Sequence, residues 1–152
     1  VKLAFFILVK LVYPFPLVKF HYRLMFNHHT PFGVRQPFGN YSHGVEVSPG
    51  SRWLVCSGQL GIDVHDVIPQ SMQAQTRLCF ENLAAILASA RMNFSHVVRL
   101  NAYVTDRAYF PDYMKVRNQF VSTPPPASTL MVVGGFTREE FKIEVEAIAA
   151  SV

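Results

Sequence analysis

Three consecutive prolines, Pro124–Pro126, constrain the fold of this chain more than any other short stretch of its sequence. Proline fixes φ and lacks an amide hydrogen, so the run ends any preceding helix and imposes an extended backbone. The apolar, β-branched residues that follow predict a strand over Thr129–Val133. Ser128 stands where the loop becomes the strand. It is either a residue with a functional role or a replacement for a residue that had such a role.

Periodicity and turn residues predict five strands and two helices between residues 41 and 149. Tyr41–Val47 and Arg52–Ser57 flank a Ser-Pro-Gly-Ser turn and are predicted to pair as an antiparallel hairpin. A long amphipathic helix extends from Ser71, its cap, to about Ala90. The remaining elements are the strand Val97–Thr105, a shorter helix over Tyr109–Val121, and the alternating strand Lys142–Ala149.

This β-β-α-β-α-β-β order predicts an α+β domain with one mixed sheet and both helices on one face. The chain has 152 residues, half of them apolar and 16% charged, which suits one globular domain. No further helix remains to cover the second face of the sheet. We therefore expect an oligomer whose subunits pack sheet against sheet.

Charge separates residues 1–30 from the rest of the chain. The first thirty residues carry four Lys or Arg and no acid, whereas residues 31–152 carry ten of each sign. Residues 1–30 are therefore predicted to be a hydrophobic, basic extension, and residues 31–152 a single, neutral domain. The neutral domain argues against nucleic acid as a partner. The longest uncharged apolar run, Leu3–Val9, is too short to span a membrane.

Three interpretations of the extension stay open. The favoured one is that residues 1–24 are a non-native upstream extension of the reading frame and that Met25 is the true start. The second is a membrane-surface or targeting segment. The third is an ordered element that packs on a neighbouring subunit.

Cys56 lies in a strand-like run and Cys79 in a helical one. Both are predicted to be reduced, buried thiols, as in a cytosolic protein. No His or Cys cluster has the spacing of a metal site, and the adjacent His28 and His29 lie in the extension.

Four motifs in order resemble the reactive-intermediate deaminase (Rid, or YjgF-type) family over about residues 33–150. They are SGQ at 57–59, RLNAYVTD at 99–106, PPAS at 125–128 and KIEVEAIA at 142–149. The resemblance implies a chorismate-mutase-like fold and a cytoplasmic homotrimer with ligand clefts between subunits. It also implies no metal or organic cofactor, and hydrolysis of enamines and imines to 2-keto acids and ammonia. Older labels for the family are translation inhibitor and endoribonuclease.

The resemblance also implies a changed substrate clamp. Deaminating members carry an Arg where this chain has Ser128, and that Arg grips the substrate carboxylate through two hydrogen bonds. A helical Asn of those members aligns with about Met114. Arg117, one turn further, is a candidate for the missing positive charge, although a solvated helix arginine is the favoured interpretation.

Other family positions are retained. Tyr41 matches a cleft tyrosine, Ser57 and Gly58 match a turn that faces the ligand, and Glu144 matches a glutamate that holds water. Each also has a structural interpretation: turn chemistry for Ser57 and Gly58, a half-buried sheet aromatic for Tyr41, and a solvated or inter-subunit salt-bridge residue for Glu144, which shares a strand face with Glu146. Arg99 and Asn101 are predicted to hold the sheet and the subunit interface together. His43 lies on the same strand face as Tyr41 and is either an interface histidine, the favoured interpretation, or an acid or base in the cleft.

We therefore predict deaminase-like hydrolysis of a small enamine or imine other than a simple 2-imino acid, with Glu144 and Tyr41 as catalytic residues. Ser57, Gly58, Ser128, Met114 and Arg117 are the predicted substrate-binding residues. One alternative is a non-catalytic trimer that binds a small metabolite. A less favoured alternative is an endoribonuclease or translation inhibitor.

Overall fold

The computed structural model describes residues 26–152. The predictions about residues 1–25 therefore lie outside the described residues. The strands and helices are β1 (Phe26–His29), β2 (Gly44–Val47), β3 (Arg52–Leu60), α1 (Met72–Ser89), β4 (Val97–Val104), α2 (Phe110–Arg117), β5 (Ala127–Val132) and β6 (Ile143–Ser151).

Four strands form one mixed sheet in the order β3-β6-β4-β5. Strand β6 is antiparallel to both of its neighbours, whereas β4 and β5 are parallel. The parallel register places Leu100 beside Ser128, and the antiparallel register places Tyr103 beside Glu144. The predicted α+β class and mixed sheet are confirmed.

Alternation along the central strands assigns the two faces of the sheet. In β4, Leu100 and Ala102 are fully buried against the helices. The core there also contains Phe80, Leu83 and Leu87 of α1. The intervening residues point the other way, because successive side chains of a strand alternate between faces. We call this second face, away from the helices, the open face; it carries Arg99, Asn101, Tyr103, Glu144 and Glu146.

Both helices are found where the sequence predicts them. The Ser71 side chain caps α1 by accepting a hydrogen bond from the Ala74 amide at 3.1 Å, as predicted. Helix α2 is shorter than predicted, because the chain tightens after Arg117 into turns that bond to residues three positions back. Phe120, predicted as helical, instead follows these turns and stacks on Phe80 at 5.0 Å between ring centroids.

The predicted hairpin between Tyr41–Val47 and Arg52–Ser57 is wrong. The turn is present, with Gly50 at φ +83°, but β2 pairs with β1 and β3 pairs with β6. Local alternation identified the strands but not their partners, because a pairing partner can lie far away in the sequence.

Strand β1 lies within the folded part of the chain, ahead of the boundary predicted at residue 31. Its His28 Nδ1 is 3.0 Å from Ser42 Oγ and 3.1 Å from the Pro125 carbonyl oxygen. The Ser42 hydroxyl also donates to that carbonyl at 2.6 Å. Because Ser42 forms a parallel bridge with Ala127, these bonds tie β1 to the loop that precedes Ser128.

Buried Gln75 of α1 fixes the start of β6. Its side-chain amide donates to the carbonyls of Pro69 and Glu140 at 2.9 and 2.8 Å and accepts from the Lys142 amide at 2.8 Å. The helix thereby determines where the strand that carries Glu144 begins.

The two cysteines are free and buried, as predicted. Burial raises the pKa of both thiols. Neither thiol is therefore activated as a nucleophile.

Candidate functional site

A cavity of about 340 Å³ lies at the β5 edge of the sheet, between β5, α2 and the loop before Tyr41. Four of the residues predicted from the sequence line it together: Tyr41, Met114, Arg117 and Ser128. We call this space the edge cavity. Its other lining residues are Phe38, Gly39, Phe110, Tyr113 and Leu130.

Local geometry explains why these residues meet. Ser128 and Leu130 are two apart on β5 and therefore share one face of the strand. Tyr113 and Arg117 are four apart on α2 and share one side of the helix. The Tyr41 amide donates to the Gly39 carbonyl at 3.0 Å, and this tight turn belongs to the loop whose Phe38 and Gly39 line the cavity.

The interpretation of Arg117 as a solvated helix arginine is wrong. Its side chain is only 1% exposed, because the chain before Tyr41 covers it. Nη1 donates to the Asn40 carbonyl, and to the Asn118 side-chain oxygen at 3.1 Å. Desolvation lowers the pKa of the guanidinium, while the carboxyl end of α2 favours its charge by about 0.3–1 kcal/mol.

Tyr113 is the residue that sequence reasoning missed. It is 1% exposed, and its hydroxyl has no hydrogen-bond partner of normal geometry among the described residues. Burial raises its pKa to about 12, although Arg117 and Ser128 lie near enough to oppose that shift. The spacing of Tyr113 and Arg117 in a helix was the signal that could have found it.

The other predicted site residues lie on the open face. A Cβ added at Gly58 would fall 1.8 Å from Glu144 Oε1, so the missing side chain at Gly58 makes room for the carboxylate. Ser57 is exposed beside it. Glu144, Ser57 and Gly58 therefore form a second group, which we call the Glu144 group.

Hydrogen bonding distinguishes the two glutamates of β6. Glu146 Oε1 accepts from Asn101 Nδ2 at 2.7 Å and from the Tyr103 hydroxyl at 2.8 Å, and this second bond is the main reason that the pKa of Tyr103 is raised. Arg99 extends the same network to Asn101 at 2.8 Å. No residue of the described region donates a hydrogen bond to Glu144. The Glu146 carboxylate thus accepts hydrogen bonds from within the sheet, whereas the Glu144 carboxylate accepts none there and can accept them from a ligand.

Within one chain, the edge cavity and the Glu144 group lie on different faces of the sheet. His43 lines neither of them; its Nε2 is 2.7 Å from the Arg35 carbonyl oxygen and its ring makes an edge contact with Tyr41. Across residues 26–152, no three His, Cys, Asp or Glu side chains come together as a metal-binding set. No helix in that range is long and apolar enough to cross a membrane.

The chain thus combines an α+β fold, in which two helices cover one face of a mixed sheet, with a cavity at the edge of that sheet. The family model described as endoribonuclease L-PSP matches residues 33–151. The chain belongs to this family. A solved structure of a Rid-family protein is among the structural neighbours of the chain.

Three relatives illustrate the match. Protein DfrA of Myxococcus xanthus is 34% identical over 115 residues, which cover 74% of this chain and 86% of that protein. A 2-iminobutanoate/2-iminopropanoate deaminase of Dermatophagoides farinae is 26% identical over 74% of this chain and 87% of its own length. The crystal structure of the Rid-family protein YyfB of Yersinia pestis superposes with a TM-score of 0.72 at 26% identity, covering 84% of this chain and all of that one.

Proposed function

We propose that this protein hydrolyses a small enamine or imine other than a simple 2-imino acid and releases ammonia. The observation that carries the proposal is the edge cavity, in which Tyr41, Met114, Arg117 and Ser128 meet. The relative that bears the name of an imino-acid deaminase supports the same reaction class. Ser128 is too short and neutral to grip a carboxylate as an arginine does.

The reaction needs a base for water and a proton donor for nitrogen. In our proposal Glu144 takes a proton from water as the water oxygen bonds to the imine carbon. The nitrogen gains a first proton in this step, which gives a carbinolamine. The carbinolamine hydroxyl then loses its proton as the nitrogen gains a second one, the C–N bond breaks, and ammonia and a carbonyl product leave, so that both protons of the water end on ammonia. The hydroxyl of Tyr41, a residue that lines the edge cavity, is the proposed donor to the nitrogen.

One chain does not bring these two groups together, so the proposed site needs a second copy. The open face exposes the apolar side chains of Trp53, Val55 and Met131, which are 55%, 74% and 43% exposed. Covering such a patch with another subunit is the usual solution. In the proposed homotrimer, the Glu144 group of one copy meets the edge cavity of the next. Cytoplasmic localisation stays a prediction.

The test is ammonia release from a panel of freshly generated imines with aliphatic, aromatic and dicarboxylic bodies. Glu144→Gln should lower kcat by about 100-fold or more, because it removes the base. Glu146→Gln is the matched control two residues along the same strand face. It should retain most of the activity and lower stability instead, because Glu146 anchors Asn101 and Tyr103.

Two results would overturn the proposal. The first is turnover no faster than in buffer for every imine, which would favour a non-catalytic binding protein if ligands still bind. The second is unchanged activity in Glu144→Gln. RNA cleavage that is equal in wild type and Glu144→Gln would point to a contaminating nuclease.

A further inference from the structure

His28 contacts two other segments of the chain through one ring nitrogen. Its Nδ1 lies 3.0 Å from Ser42 Oγ and 3.1 Å from the Pro125 carbonyl oxygen. Ser42 is only 5% exposed, and its hydroxyl donates to the same carbonyl at 2.6 Å. Polar groups of three segments therefore meet at one partly buried point, where hydrogen bonds are stronger than in open water.

These contacts assign the proton of the His28 ring. The Pro125 carbonyl can only accept, so the Ser42 hydroxyl and His28 Nδ1 must both donate to it. A proton on Nδ1 satisfies all three contacts, because the Ser42 oxygen still has a lone pair for the ring N–H. An unprotonated Nδ1 would instead place its lone pair against the carbonyl oxygen. The neutral ring is therefore protonated on Nδ1.

The same junction adjoins two walls of the edge cavity. The Ser42 amide donates to the Pro126 carbonyl at 3.0 Å, and Ser42 forms a parallel bridge with Ala127. Tyr41 directly precedes Ser42, and Ser128 directly follows Ala127. Both Tyr41 and Ser128 line the cavity. A change in the spacing of Ser42 and the proline loop therefore moves Tyr41 relative to Ser128.

His28 itself lies outside the edge cavity. It lines a separate groove of about 570 Å³, whose walls include Ser95, Val97 and Pro124. Among the described residues, none lines both the groove and the edge cavity. An effect of His28 on a ligand in the edge cavity must therefore pass through Ser42 and the proline loop.

We propose that His28 is a positioning residue of the edge cavity: its Nδ1–H holds Ser42 and Pro125 together and thereby fixes Tyr41 relative to Ser128. The inference rests on the proposed function, in which Tyr41 donates a proton to the substrate nitrogen. The position of such a donor matters, because a misplacement of about 1 Å can lower a rate by about 100-fold.

Two substitutions separate the hydrogen bond of His28 from the bulk of its side chain. In His28→Asn, Nδ2 is attached to Cγ as Nδ1 is in histidine, so it can donate to the Pro125 carbonyl. His28→Leu fills similar space without a donor. With an imine that the wild type hydrolyses, His28→Leu should lower kcat by about tenfold with KM within about twofold, because the donor acts in the transition state. His28→Asn should stay within about threefold of wild type. His29→Leu, at the exposed neighbouring position, is the matched control and should keep full activity.

Chemical rescue sharpens the test, because the groove leaves room for a small molecule beside this position. Imidazole should raise the kcat of His28→Ala by about threefold or more, since its N–H can donate to the Pro125 carbonyl. N-methylimidazole retains the basic nitrogen but has no N–H. It should restore nothing, and it corrects for catalysis by the added base itself.

NMR of the isotopically labelled full chain tests the inference without turnover. In the neutral ring of the wild type, His28 Nδ1 should give the signal of a protonated nitrogen. The amide signals of Tyr41 and Ser128 should shift in His28→Leu and return close to their wild-type positions in His28→Asn. If His28→Leu does not fold, Ser42→Ala removes the shared hydroxyl instead and should lower kcat and shift the same signals.

An unprotonated Nδ1, wild-type kcat in folded His28→Leu, or equal rescue by the two imidazoles would overturn the inference. If no imine is hydrolysed but the NMR signals behave as expected, the proposed hydrolysis fails and the positioning of the cavity walls by His28 stands. If Glu144→Gln loses activity while folded His28→Leu keeps it, the hydrolysis stands and the role of His28 fails.

Discussion

The polar side chains on the helix side of the sheet differ in their hydrogen bonding from those on its open face. On the helix side, Tyr113 and Arg117 are almost completely buried, yet the Tyr113 hydroxyl and Arg117 Nε make no hydrogen bond of normal geometry within residues 26–152. On the open face, Tyr103 is only partly buried, and its hydroxyl donates to Glu146. Satisfied polar networks stabilise a fold, whereas unsatisfied buried groups cost stability. The contrast supports the proposal that the edge cavity binds a ligand, whereas the network of Glu146 stabilises the sheet.

Truncating a core side chain between the sheet and the helices has the largest expected effect on stability. Leu100 of β4 is fully buried among the helices, so Leu100→Ala should lower the free energy of unfolding by about 2–5 kcal/mol. Met131→Ala, on the neighbouring strand and 43% exposed, should cost less than about 1 kcal/mol in the dissociated chain. Urea unfolding measures both losses.

Protein concentration sharpens this comparison. A loss at Met131 that grows with protein concentration would be the sign of the proposed assembly, because a second copy then covers the open face. Equal losses for Leu100→Ala and Met131→Ala at every concentration would contradict the two-sided packing.

The next effect is an alkaline loss of stability on the helix side. Burial raises the pKa of Tyr113 to about 12, so the unfolded chain releases this proton first, near the ordinary value of 10. The contribution to stability is complete below about pH 10 and is lost as the pH rises toward 12. At about 1.4 kcal/mol per pKa unit, the loss amounts to about 2–3 kcal/mol.

Urea unfolding of wild type and Tyr113→Phe between about pH 9 and pH 11.5 checks this slope. The lowered pKa of Arg117 acts in the opposite direction, and the difference between the two proteins isolates the tyrosine. If the stabilities of wild type and Tyr113→Phe fell in parallel as the pH rose, the alkaline loss of stability would not come from Tyr113.

The smallest effect comes from removing one hydroxyl on each side. Tyr103→Phe loses the hydrogen bond to Glu146 and should cost about 0.5–1.5 kcal/mol at pH 7. Tyr113→Phe removes a hydroxyl that makes no hydrogen bond of normal geometry within the described residues, and it should change stability by less than about 0.5 kcal/mol. The reverse order in a denaturation experiment would mean that Tyr113 has a partner and Tyr103 does not.

Features set by neighbouring residues could be predicted from the sequence. The alternation of β6 and the Ser71 cap depend on residues a few positions apart, and both were predicted. The partner of β2 could not be predicted, because it is β1, about twenty residues upstream in a segment whose composition indicated an extension.

The edge cavity was predicted only in part. Tyr41, Met114 and Ser128 came from the family resemblance, and Arg117 came from its position about one helical turn beyond Met114. The structure places all four around one space. Burial of Arg117 depends on the chain at Asn40 folding back over α2, and nothing in the helix sequence encodes that contact. The separation of Glu144 from Ser128 likewise follows from sheet pairing, which single-strand patterns do not determine.

Strand β1 has a practical consequence for making this protein. The family model begins at residue 33, but β1 covers the edge of β2 and holds Ser42 and Pro125 through His28. A recombinant version trimmed to the family boundary would expose the backbone donors and acceptors of β2, and open strand edges recruit other chains. Expression should therefore retain residues from Phe26 onward, because a shorter version invites aggregation beside the loop that positions Ser128.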